Sequence, residues 1–120
     1  MGSHVSIVPN HQVGRITPLK TRFAVASSGN LGYELDLNKL NDEEKEEIKK
    51  QVAWYKQYRD VIQKGTFYRI KSPFDGNDIS WNFISKDENT VICYFHQILV
   101  EPIYRNLNFE IKRTTRKCFI

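Results

Sequence analysis

Few residues of this chain carry groups that could do chemistry, and their spacing decides how far each can be taken. The only histidines are His4, His11 and His96. His4 and His11 stand in a loop-like stretch without the cysteine or carboxylate partners that a zinc site assembles, so no metal site is expected. His96 alternates with Tyr94 and Ile98, which reads as one face of a strand and not as a general base. Glu34 and Asp36 are two positions apart, and an extended chain would point both to the same side. Glycoside hydrolysis needs two carboxyl groups about 5–10 Å apart across a sugar. Their neighbours suggest no apolar pocket around either carboxyl, and the pair reads more simply as a polar connection. Ser27-Ser28-Gly29-Asn30 lacks the glycine and lysine layout of a phosphate loop. Trp54, Tyr55 and Tyr58, at helical spacing, read as core. Trp81, Tyr94 and Phe95 leave open an aromatic platform on a sheet. No complete catalytic set emerges, and no cofactor is implied.

The elements that must position these groups are clearer. Asn41 and Glu44 form an N-x-x-E capping box ahead of a helix over 42–64. Asp42, Glu43 and Glu44 complement its dipole, and Lys64-Gly65 supplies the stop. Ile48, Val52, Tyr55 and Ile62 follow helical spacing, with Trp54, Tyr58 and Val61 as a second stripe. Glu46 and Lys50 are placed to pair on the wet face. Together the stripes make an apolar face wider than one small sheet requires.

Upstream, residues 1–22 contain Pro9, Gly14 and Pro18 and read as loop, with a helical turn beginning near Pro18. Residues 23–27 are apolar on both alternating faces, which predicts a strand buried on both sides, as in a parallel sheet. From Thr66 the period changes to two. Strands are expected over 66–70, 79–84, 91–100 and 107–112, with turns at 72–77 and 86–89 and a connection around Pro102. The fold class is α+β: one long amphipathic helix followed by an antiparallel sheet of about four strands.

The totals narrow the function classes. The chain has 120 residues, 40% hydrophobic and 12% aromatic, enough for a real core. No apolar run is long enough to span a membrane, and no signal-peptide layout opens the chain. The formal charge of +4 is not spread over the chain, because residues 1–104 carry 13 basic and 13 acidic groups. The excess falls on Arg105, Lys112, Arg113, Arg116 and Lys117, which reads as a solvated chain end and not as a nucleic-acid surface. Two cysteines, Cys93 and Cys118, make no metal or disulfide framework and favour a reduced, cytoplasmic setting.

Several motifs, in order, carry a resemblance. Gly2-Ser3-His4-Val5-Ser6, Pro9-Asn10-His11-Gln12, Arg15-Ile16-Thr17-Pro18 and Thr21-Arg22 come first. Gly32-Tyr33-Glu34-Leu35-Asp36-Leu37 follows, then the helix with Glu43-Glu44, Ile48, Gln51, Tyr55-Lys56 and Arg59, then Gly65 and Phe67-Tyr68-Arg69. Over roughly residues 1–101 the chain resembles bacterial melibiase-type α-galactosidases. Gly2-Ser3-His4 therefore belongs to the pattern and is not an expression-vector scar.

The resemblance implies a terminal segment of a (β/α)8 barrel over 1–65, with a mouth loop at 1–12, a last strand at 23–27 and a last helix at 42–64. It implies the start of a C-terminal β-domain, a partial β-sandwich, over 66–120. It also implies hydrolysis of terminal α-galactosides with retention by the full-length relatives, through one nucleophilic aspartate and one acid–base aspartate. No catalytic residue carries over onto this chain, because both aspartates lie upstream in the family. His4, Asn10 and His11 would line the barrel mouth as substrate-binding residues, or brace its loop. The ending after about Glu101 departs from the family pattern and looks like a truncation or a frame change. The chain alone is expected to be inactive and to self-associate, or to fold its wide helix face onto its own N-terminal segment. The alternative is a small non-catalytic module that binds carbohydrate or protein through the sheet.

Overall fold

The computed structural model describes residues 1–99 and the backbone of 118–119. They fall into two compact units, Met1–Arg59 and Asp60–Ile120. The first runs β1 (Gly2–Ser6), α1 (Leu19–Ala26), β2 (Asn30–Glu34), a 3-10 turn at Leu37–Lys39 and the greater part of α2 (Asp42–Lys64). The second takes the last turn of α2, then β3 (Thr66–Lys71), β4 (Asp78–Ile84), β5 (Val91–Gln97) and β6 (Cys118–Phe119).

The two strands of the first unit are parallel, with Gly2 opposite Asn30 and Ser6 opposite Glu34. Parallel neighbours need a crossover connection, and α1 is that crossover. This corrects two sequence expectations. Residues 1–12 are not all loop, since Gly2–Ser6 is a strand. Residues 23–27 are not a strand, since Phe23 to Ala26 close α1. A short apolar run has no period that separates strand from helix. Here two alanines favour the helix, which starts directly after Pro18. The strand that precedes α2 is instead Asn30–Glu34, hidden in the sequence by Gly32 and two polar ends.

Sequence and structure agree on α2. Asn41 Oδ1 accepts from the Glu44 N–H at 2.8 Å, and Glu44 Oε2 accepts from the Asn41 N–H at 3.1 Å. Its helical face packs back onto the N-terminal segment. Trp54 meets Phe23 edge-on at 5.7 Å, and the Tyr55 hydroxyl donates to the Gly29 carbonyl at 2.7 Å while accepting from the Leu31 N–H at 3.3 Å. Glu46 pairs with Lys49, one position short of the Lys50 expected; the Lys49 hydrogen bond and charge lower the Glu46 pKa, and Lys50 adds to them. The helix ends where the Gly65 N–H reaches the Val61 carbonyl at 2.9 Å. A Cβ at Gly65 would stand 2.3 Å from that oxygen and 2.4 Å from the Ile84 carbonyl, so only glycine fits.

In the second unit β3, β4 and β5 form an antiparallel meander, and β6 pairs in parallel with β5. A bulge between Arg69 and Lys71 lengthens β3 beyond its expected end. β4 and β5 are buried on both faces, through Phe83, Ile92 and Tyr94 on one and Asn82, Ile84 and Val91 on the other. β5 ends at Gln97, short of the expected residue 100, because Asn77 takes the chain over. Its side-chain oxygen accepts from the Leu99 N–H at 2.6 Å, and its backbone carbonyl accepts from the Ile98 N–H at 2.9 Å. The strand expected over 107–112 and the connection around Pro102 lie outside the described residues, as do the basic residues beyond 104.

Candidate functional site

The β1–β2 pair has two unlike faces. Ser3, Val5, Leu31 and Tyr33 turn toward the helices. Val5 is fully buried, and the Tyr33 hydroxyl donates to Gln51 Oε1 of α2 at 2.9 Å. Gln51, itself buried, passes a second bond from Nε2 to Glu47 Oε1 at 3.1 Å. Burial, helped by the nearby Glu47 carboxylate, pushes the Tyr33 phenol up to about 12. The relay fixes β2 to the helix, while burial first and the Glu47 charge second favour the protonated phenol.

Alternation puts Gly2, His4, Ser6, Asn30, Gly32 and Glu34 on the other face. His4 Nε2 lies 2.8 Å from Glu34 Oε2. The register partner of His4 is Gly32 and that of Glu34 is Ser6, so the imidazole leans diagonally toward the C-terminal ends of the strands. A Cβ at Gly32 would meet the His4 Cβ at 3.9 Å, an ordinary contact, so the lean does not depend on glycine there. The pair is open, at 57% and 72% side-chain exposure, so it adds little to stability.

The three sequence candidates separate. His4 stands on β1 and not in a loop. Asn10 organises the loop that follows: Oδ1 accepts from the Gln12 and Val13 N–H groups at 3.0 and 3.1 Å, and Nδ2 reaches Ser6 Oγ at 3.5 Å. The Asn10 backbone closes the same loop through Gly14 at 2.8 Å and Arg15 at 2.9 Å. Gly14 supplies the positive φ, 66°, that this turn needs. His11 is exposed in the turn. No hydrogen bond or ion pair joins His4, Asn10 and His11 to one another. Among the described residues no three His, Cys, Asp or Glu side chains converge on a metal position.

Sequence reasoning missed Arg22. From α1 its guanidinium donates through Nε to the Thr17 carbonyl at 2.9 Å and through Nη1 to the Ser6 carbonyl. It ties the end of β1 to the far end of the 7–18 loop. Burial lowers its pKa, and Glu44 opposes that shift. The signal available was a second cation, two positions after Lys20, set against the apolar stretch 23–26 of α1. Glu34 and Asp36 do not make a carboxylate pair. Asp36 caps the 3-10 turn, with Oδ1 accepting from the Asn38 N–H at 2.9 Å.

In the second unit Trp81 lies flat on Tyr94, 5.1 Å between centroids and 11° between planes, and Tyr94 is buried. His96 sits opposite Ile79 on that same sheet. Among the described residues no helix is long and apolar enough to cross a membrane.

Comparison with known proteins gives one consistent result. A family profile described as Melibiase matches residues 1–65. The chain is 54% identical over 101 residues to α-galactosidase AgaA of Geobacillus stearothermophilus, covering 84% of this chain and 14% of that one. It is 51% identical over 90 residues to α-galactosidase 1 of Pediococcus pentosaceus, covering 75% and 12% respectively. Among solved structures, the α-galactosidase of Lactobacillus brevis superposes with a TM-score of 0.90 at 53% identity, over 93% of this chain and 15% of that one. The GH36 enzyme AgaA in complex with stachyose superposes with a TM-score of 0.84 at 52% identity, over 88% and 15%. The chain therefore spans about one seventh of the length of these relatives.

Proposed function

The chain belongs to the melibiase family, and we propose that it serves as the closing segment of an α-galactosidase catalytic barrel and the opening of the β-domain that follows in sequence. The observation that carries this reading is the β1–α1–β2–α2 order with parallel strands. A lone pair of parallel strands leaves both outer edges without partners, and such strands occur in sheets with helices covering a face. In a (β/α)8 barrel, further strands would meet those edges and the helices would lie outside. Residues 1–65 are then the last part of the barrel, with Asn30–Glu34 as the strand that leads into α2, and residues 66–120 begin the β-domain.

The proposed substrates of the whole enzyme are terminal α-galactosides. Relatives solved with stachyose and with raffinose support that class. The aspartates that attack and protonate the glycoside in this family match no position of the chain. The chain by itself therefore does not turn substrate over. His4 and His11 stand on the barrel-mouth side, and Asn10 contributes by holding the mouth loop in shape. Two cysteines in 120 residues, outside any disulfide framework, are in keeping with a cytoplasmic enzyme. The alternative, a sugar-binding module working through the sheet, gains no support, because the Trp81 ring is stacked on Tyr94.

Calorimetric titration of the 120-residue chain with galactose and raffinose tests the choice between the two. The enzyme-segment reading expects no heat of binding. Saturable heat lost in Trp81→Ala would favour the module.

A further inference from the structure

We propose that His4 and Glu34 form a sugar-facing pair on the open face of the β1–β2 sheet, Glu34 holding the imidazole by Nε2 so that Nδ1 meets a hydroxyl of the α-galactoside. The inference rests on the reading of the chain as a barrel segment. It names a ligand-binding residue and a positioning residue within that segment.

The side of the sheet that carries the pair is settled by packing. Val5 and Tyr33 face α1 and α2, so the alternate positions face away from the helices. In a barrel that direction is the interior. Interior positions that merely fill a barrel carry bulky branched side chains, Val, Ile and Leu. Here the six positions are Gly2, His4, Ser6, Asn30, Gly32 and Glu34. A face of glycine and hydrogen-bonding groups does not pack a dry layer, but it suits a hydroxylated ligand.

The direction along the strands agrees. Active sites lie at the C-terminal ends of barrel strands, and Glu34 is the last residue of β2. By reaching diagonally to Glu34, the His4 ring is drawn toward that end. The 2.8 Å contact occupies Nε2. Nδ1 has no partner among the described residues, and it is the ring's remaining hydrogen-bonding atom. The carboxylate thus acts as a second group that fixes ring orientation, the arrangement by which histidines are commonly aimed at a ligand.

The test uses an AgaA hybrid in which this chain's matching residues replace the corresponding 101-residue segment. The parent hybrid must hydrolyse nitrophenyl α-galactoside; a folded but inactive hybrid would remove the barrel reading and this inference with it. In an active hybrid, His4→Ala should raise KM about tenfold with kcat nearly unchanged, the mark of lost uniform binding. Glu34→Ala should raise KM in the same direction by about threefold, and Glu34→Gln, which still accepts a hydrogen bond, should restore it. Unchanged KM in both alanine variants of an active hybrid would overturn the pair's role while leaving the barrel reading intact. A second readout uses the chain as it is: Glu34→Ala should displace the His4 ring-nitrogen resonances in NMR, and Glu34→Gln should displace them less. Unmoved resonances would overturn the pairing itself.

Discussion

Tyr33 shows how one side chain can carry a measurable consequence. Its hydroxyl is held by Gln51, and burial raises its pKa from the ordinary phenol value of about 10 to about 12. A group that holds its proton longer in the folded state stabilises the fold fully below the unfolded pKa. That contribution fades as pH rises from about 10 to about 12. Tyr33→Phe should remove this part of the alkaline fall in stability, read from denaturant midpoints at stepped pH. In tyrosinate absorbance, Tyr33→Phe should remove a component that titrates near pH 12. An unchanged titration curve above about pH 11 in that variant would contradict the assignment. Arg22 offers a second residue-scale check, since Arg22→Met strips bonds from both the Ser6 and Thr17 carbonyls. The expected loss is about 1.5–3 kcal/mol, the range for bonds to a charged donor, with the 7–18 loop the first segment to gain amide exchange.

Among the elements, legibility followed the strength of the local signal. The Asn41–Glu44 capping box and the Lys64-Gly65 stop framed α2 correctly from sequence, because caps act through bonds a few residues apart. Asn41→Ala should cost about 1 kcal/mol in thermal or denaturant unfolding. Gly65→Ala should cost about 1–3 kcal/mol, because the added methyl meets two backbone oxygens that cannot both withdraw. The three strands between 66 and 97 were also legible, since turn residues at 72–77 and 86–89 bound them, while the one expected over 107–112 lies outside the described residues. β1 and β2 were not. Their pairing is non-local, Gly32 interrupts the pattern, and their polar face looks like loop composition. The apolar run at 23–27 drew the strand assignment to itself, although tertiary context made it the crossover helix. His4 was recognised as a candidate but without Glu34, which lies 30 positions away in sequence and becomes its neighbour only through the parallel register.

The whole molecule is a family member that spans about one seventh of its relatives' length. Its resemblance to melibiase-type enzymes was legible because ordered motifs over most of the chain are specific where single motifs are not. Among the described residues the outer edges of β1 and β2 have no strand partner, and this predicts how the 120-residue chain behaves alone. Unpaired strand edges are templates for association, so sedimentation should show dimers or larger species that grow with concentration. A single monomeric species across that range would count against open edges. The most direct measurement of the central claim is turnover of nitrophenyl α-galactoside by the isolated chain beside the AgaA hybrid that carries its matching residues. The account predicts no hydrolysis above blank by the chain and clear hydrolysis by the hybrid. Turnover by the purified chain alone, or a folded hybrid without activity, would contradict it.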